Sequence, residues 1–315
     1  MKRNMYRYII AAIVAAVCVS SCTKESNGIG EPKSEEVRIL VENLQTKGAL
    51  VPSVTNVFSY GDRIGVSCEE TTPPIMNHIF LGIKSDGNLI FTPYDGYQYG
   101  VPKWTAGKVH TFAIYYPYSY KCVNNVISGE LSELQYFTSN DGGKTAVPYI
   151  DNTGAGDYNL LYAKVTSEQP SNGMVAVKEM KRQFGVIEFQ MVCDIPGLAG
   201  WSITEAYFRS YDLLRAGDYD FDLNDGTLSW ARSSRFTDEY RLEGWPSAGF
   251  PHYSGVHNAT RSLYMIVPPG TSVNGEYCMN VNGTKFVLHR SGSSAVINAG
   301  DFYTVTFTSA DRVVE

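Results

Sequence analysis

The sequence is poor in features that announce chemistry. No GxSxG nucleophile elbow and no HExxH zinc pair occur in its 315 residues, so the serine-elbow and zinc-helix hydrolase frames are excluded. Histidine is scarce, with five in all: His78, His110, His252, His257 and His289. The one close pair, His252 and His257, has a five-residue gap that does not set two metal ligands on one helix face. The histidines therefore read as surface or loop residues. None of the six cysteines forms a CxxC pair, which removes the usual metal and redox signatures. An excess of one charge is also lacking. The net charge is only -6 and its charges are scattered, so nothing points to nucleic acid or an anionic membrane face as a partner. Helical periodicity is weak, and only 130–137 and 176–182 read as short helical turns.

What is present begins with the first 22 residues. Lys2, Arg3 and Arg7 lead into an apolar run over 8–19. That run falls short of the ~18 residues a membrane-spanning helix needs. With the small residues that follow, it reads as a secretory signal peptide. Val19-Ser20-Ser21-Cys22 resembles the bacterial lipobox, in which the cysteine is acylated and becomes the first mature residue. The lipid on Cys22 would hold the chain on the outer membrane, each buried methylene contributing about 0.8 kcal/mol. In such an oxidising envelope a disulfide is permitted. The spacing of Cys68, Cys122, Cys193 and Cys278 nevertheless favours buried free thiols.

After the signal peptide (1–21) comes a polar tether over 22–36, and then strand follows strand. Tyrosine is abundant at 22 residues, and turn-forming glycine reaches 29, a balance that favours strands and turns. Strands are expected near 37–41, 57–66, 79–83, 88–92, 110–116, 160–165, 183–192, 277–281, 284–289 and 302–308. Asp86-Gly87 and Asn282-Gly283 mark tight hairpins. The polar stretch 166–173 is the best boundary, which divides the chain into β-sandwich domains at 37–168 and 169–315.

Three motifs carry chemical alternatives. Gly142-Gly143-Lys144-Thr145 matches the tail of a phosphate loop, but Thr138 stands where the first glycine belongs, so it reads as a turn. The alternating carboxylates of 218–225 suit calcium in principle. Gly226 falls one position late and Ala231 replaces the bidentate glutamate, which favours an Asp225-Gly226 hairpin. No metal and no cofactor is assigned. Tyr97, Tyr99 and Trp104 are candidate ligand-contact aromatics, suited to stacking on sugars or filling partner pockets.

Several segments in order resemble the fimbrillin family of Bacteroidetes lipoproteins. They are Phe58-Ser59-Tyr60-Gly61-Asp62-Arg63-Ile64-Gly65-Val66, then Trp104 with Phe112-Ala113-Ile114-Tyr115-Tyr116-Pro117-Tyr118. Asn159-Leu160-Leu161-Tyr162-Ala163, Phe184-Gly185-Val186-Ile187-Glu188-Phe189 and the closing strands over 264–270 and 299–307 complete the set. The resemblance implies an all-β chain of two tandem transthyretin-like β-sandwich domains after a lipoprotein signal peptide. It implies a non-enzymatic role as a shaft, tip or anchor subunit of a type V fimbria at the cell surface, supporting adhesion. Its partners would be other fimbrial subunits and a host or bacterial surface ligand.

The family's subunits are cut after a basic residue behind the first strand, and a neighbour's strand fills the groove. Here 37–41 is the removable strand, and Lys47, in Thr46-Lys47-Gly48-Ala49, is the candidate processing site where the pattern favours arginine. An uncut anchor is therefore as open as a shaft subunit. The alternative function is a surface glycan-binding lipoprotein using exposed Tyr and Trp clusters.

Overall fold

The computed structural model describes residues 35–42, 58, 60–85, 88–94, 100–139, 146–148, 160–192, 201–244, 252–253 and 260–313. The signal segment, Cys22, Lys47, Tyr97, Tyr99, Cys193, His257 and the stretch 142–145 lie outside the described residues. Among the described residues all regular elements are strands, apart from a 3₁₀ turn at Ser309–Asp311. The chain runs β1 (Arg38–Val41), β2 (Arg63–Cys68), β3 (Ile75–Ser85), β4 (Asn88–Pro93) and β5 (Val109–Tyr116). Next come β6 (Cys122–Val123), β7 (Val126–Leu131), β8 (Leu134–Ser139), β9 (Ala146–Pro148), β10 (Leu161–Glu168), β11 (Met174–Val177) and β12 (Lys181–Arg182). The last half holds β13 (Gly185–Val192), β14 (Trp201–Asp222), β15 (Thr227–Trp230), β16 (Arg235–Gly244), β17 (His252–Tyr253) and β18 (Thr260–Val267). It ends with β19 (Thr271–Ser272), β20 (Gly275–Val281), β21 (Thr284–Arg290), β22 (Val296–Ile297) and β23 (Phe302–Phe307).

The two segments expected as helical turns are corrected. Residues 130–137 fall across β7 and β8, and 176–182 across β11 and β12. Their partners are distant in sequence, β14 for β7 and β1 for β11. Short apolar segments hold too little periodicity to choose between helix and strand, and the available sheet edge decides.

One sheet has eight strands in the order β11-β1-β4-β3-β2-β5-β10-β12. Its two edges, β11 and β12, are joined by residues 178–180 alone. That link spans at most about 14 Å, whereas a flat eight-stranded sheet would hold its edges about 33 Å apart. The sheet must therefore roll until its edges approach, and it encloses its own core. Ile39, Ile64, Phe80, Phe91, Phe112 and Val175 fill that core. Gly65 leaves room for the Tyr115 ring where β2 meets β5, because a Cβ there would lie 2.1 Å from it.

The second body pairs the three-stranded sheet β18-β13-β23 with a ten-stranded sheet along β21-β20-β14-β16-β8-β9. Phe189, Phe208, Tyr277, Val305 and Phe307 lie in the core between them. Asn282 and Gly283 adopt φ of 50° and 78°, the left-handed pair that a tight β20–β21 hairpin requires. Strands β6 to β9 belong to this second body, although they sit in the chain between β5 and β10 of the first. They cross the division expected at 168, and β11 and β12 cross it the other way.

Strands β5 and β10 serve both cores. Phe112, Ile114, Leu161 and Ala163 face the rolled sheet's interior. Ala113, Tyr115 and Tyr162, with Leu160 just before β10, face the second core. Burial on both faces is why 112–116 reads as a near-continuous apolar run rather than an alternation.

Candidate functional site

The first strand occupies a slot with a definite chemistry. Val37, Ile39 and Val41 are 0%, 0% and 5% exposed, while Arg38 and Leu40 are half-buried and Glu42 is exposed. This alternation is what one face of an extended segment shows when it closes a core. β1 lies antiparallel to β4, with Ile39 opposite Phe91, and parallel to β11, with Ile39 opposite Val175. Its ladder extends past the strand, since Arg38 N–H donates to Gly173 O at 3.1 Å and Glu42 N–H to Val177 O at 2.9 Å. The lead-in at 35–37 runs beside 102–104. Val37 N–H donates to Pro102 O at 3.1 Å, and Trp104 N–H to Glu35 O at 2.8 Å. Lys103 Nζ pairs with Glu35 at 2.9 Å on the surface, and its hydrogen bond and charge hold the Glu35 carboxyl below its usual range.

Trp104 requires correction as a ligand-contact aromatic. Its side chain is buried, at 6% exposure, and its Nε1–H donates to Gly173 O at 3.2 Å. The ring meets His110 and Phe112 edge-on at 4.8 and 5.4 Å. A ring held in this way is not available to stack on a sugar. It positions instead the Gly173 carbonyl, which also receives Arg38 N–H, and so it shapes the slot. The wall made by β11 escaped sequence reading, although buried Val175 and Val177 alternate with less buried Met174 and Ala176. Tyr60 and Tyr120 are the most exposed tyrosines among the described residues, at 70% and 66%.

The histidines also differ from expectation. His78 and His110 are buried, at 5% and 0% exposure, whereas His289 lies at the surface. His110 Nε2 accepts Thr105 N–H at 3.1 Å, and burial lowers the pKa of both buried imidazoles. Cys68, Cys122 and Cys278 are buried free thiols. Burial pushes Cys68 up to about 12 and Cys122 to about 11, so neither is a nucleophile at neutral pH.

The acidic run over 218–225 is spent on structure. Asp218 accepts from Ser233 Oγ and Asp220 from Ser128 Oγ, both at 2.6 Å. Asp222 accepts Asn224 N–H at 2.7 Å and Asp225 accepts Thr227 N–H at 2.9 Å, which closes the turn between β14 and β15. Among the described residues no group of three His, Cys, Asp or Glu is placed to hold a metal. One cavity of about 480 Å³, lined by Pro73, Pro74, Met76, His78 and Pro102, borders the lead-in segment.

No family model matches the sequence, and no curated protein matches it. Solved structures do. One from Bacteroides uniformis ATCC 8492, provisionally named a cell adhesion protein, aligns over 89% of this chain and 95% of its own, at 16% identity and a TM-score of 0.55. A second, from Bacteroides ovatus ATCC 8483 with the same provisional name, covers 90% and 96% at 14% identity and a TM-score of 0.55. A fimbrial protein from Bacteroides vulgatus ATCC 8482 aligns over 88% and 96% at 12% identity and a TM-score of 0.43, a likeness too loose to identify a fold. The all-β architecture described above is similar to that of the first two.

Proposed function

We propose that the chain is a fimbrial subunit at the cell surface, which joins its neighbours by exchanging the strand in the β1 slot and so supports adhesion. The observation that carries this reading is the slot itself. A four-residue strand and Val37 just before it close a core with three β-branched side chains, and the strand is paired along both edges. Lys47 follows it closely in sequence. Cutting there would free the strand from the rest of the chain, leaving unpaired backbone on β4 and β11 and three vacant side-chain pockets. A neighbour's strand supplies both needs at once, with backbone bonds for affinity and alternate side chains for register. Such a head-to-tail contact does not close on itself and extends into a filament.

Lipidation of Cys22, outer-membrane attachment and a transthyretin-like topology belong to the same proposal. The fold likeness to proteins provisionally named for cell adhesion supports it, as does the ordered set of sequence resemblances. The glycan reading loses support, since Trp104 is a core residue.

Intact mass and the N-terminal residue of protein recovered from cells test the processing step. A start at Gly48 is expected for a shaft subunit, and a lipidated Cys22 for an anchor. Purified protein cleaved at Lys47 with a lysine-specific protease should form detergent-resistant multimers. Cleaved protein that stays monomeric with residues 35–42 still bound would sink strand exchange.

A further inference from the structure

We infer that the turn at 222–226, at the tip of the β14–β15 hairpin, is a clamp that keeps β5 and β10 folded while the β1 slot stands empty. The inference rests on the strand-exchange reading, because only exchange requires the molecule to pass through a state lacking its first strand. In that state the rolled sheet loses Val37, Ile39 and Val41 from its core, and β4 and β11 lose a shared neighbour. A sheet with no other support would open from there.

This sheet has other support, on its opposite face. The second core holds no residue of β1, yet it takes Ala113, Tyr115, Leu160 and Tyr162 from β5, β10 and the residue before β10. The hairpin tip adds polar grips to that apolar contact. Tyr162 Oη donates to Leu223 O at 2.6 Å, and Lys164 Nζ donates to Asn224 O at 2.6 Å. Leu223 is fully buried, and its own N–H donates to Asn125 O at 2.8 Å. Phe221 meets the Tyr162 ring edge-on at 5.1 Å.

The length of β14 is what delivers this tip. Its first half pairs with β16 and β20 in the second body, the register shifts between Arg209 and Leu214, and its last residues pair with β7 and β15 beside β10. Slot and clamp thus act on opposite faces of the strands. Emptying the slot removes nothing the clamp holds.

The test uses the full chain with Ile39→Asp, whose carboxylate disfavours burial and expels β1 without a deletion. Amide hydrogen exchange read by mass spectrometry reports each strand. Peptides from β1, β4 and β11 should lose about a hundredfold or more in protection, because they open locally while the rest stays closed. Those from β5 and β10 should keep theirs. Adding Leu223→Ala to Ile39→Asp should extend the loss to β5 and β10, whereas Leu223→Ala alone should leave both protected.

Loss at β5 and β10 in the single Ile39→Asp variant overturns the clamp and leaves strand exchange standing. No loss at β4 or β11 overturns the removable strand, and the clamp with it. An Ile39→Asp/Leu223→Ala double variant that behaves like Ile39→Asp assigns the protection elsewhere and overturns the clamp. Should Ile39→Asp not accumulate, Ile39→Thr at rising urea gives the order of opening. There β4 and β11 should open first, and simultaneous opening of β5 and β10 overturns the proposal.

Discussion

A buried imidazole responds to acid in one direction. For His78 and His110 desolvation disfavours the charged ring, so the folded pKa lies below the ordinary value. The unfolded chain binds its protons near pH 6.5, and the folded chain binds them only at lower pH. Stability from these residues is complete above about pH 6.5 and is lost as pH falls from there toward the folded values. Thermal melts should show Tm declining as pH falls from about 6.5 to about 5, with a shallower decline in His110→Gln. An unchanged Tm across that range would refute the assignment. The burial of both histidines was not legible from spacing or composition. It follows from β5 and β3 being central strands, where alternate residues turn inward whatever their polarity. Trp104 is the same kind of case. Its aromatic, turn-rich surroundings suggest a surface platform, but its indole N–H has a carbonyl to meet inside, that of Gly173.

Within an element, the two faces of a strand have unequal weight. Ile39 is fully buried in the β1 slot, and Leu40 beside it is only half-buried. Ile39→Ala should therefore cost about 2–5 kcal/mol through lost burial and the cavity left behind. Leu40→Ala should cost about 1 kcal/mol, the usual size for a point substitution. Urea denaturation midpoints compare the two directly, and equal costs would mean that β1 does not sit in register as described. Strands with strong local marks were legible in the sequence. In β23, Val305 and Phe307 point inward while Thr304 and Thr306 are exposed, as the alternation requires. The β20–β21 hairpin followed from Asn282-Gly283. Strands β7, β8, β11 and β12 were not legible, because each is short and owes its extended form to a partner remote in sequence.

At the scale of the whole molecule, the two cores are not independent. β5 and β10 are walls of both, and β6 to β9 leave the first body to complete the sheet of the second. Neither half can unfold while leaving the other with an intact surface. Calorimetry should accordingly show a single cooperative transition, with calorimetric and van't Hoff enthalpies in agreement. Two resolved transitions would mean that the shared strands do not couple the bodies.

The sequence by itself determined the class of fold and several strand positions. Period-two burial, β-branched and aromatic runs and positive-φ turns are properties of a few neighbouring residues. Resemblance in ordered segments pointed to the same all-β class. Tertiary structure alone decided that the first sheet rolls on itself, that β1 runs parallel to β11, and that the β14 hairpin reaches back to grip β10. Those outcomes depend on which distant segments bury each other's faces. A free-energy balance of that kind is settled among many strands at once, and no local window of residues contains it.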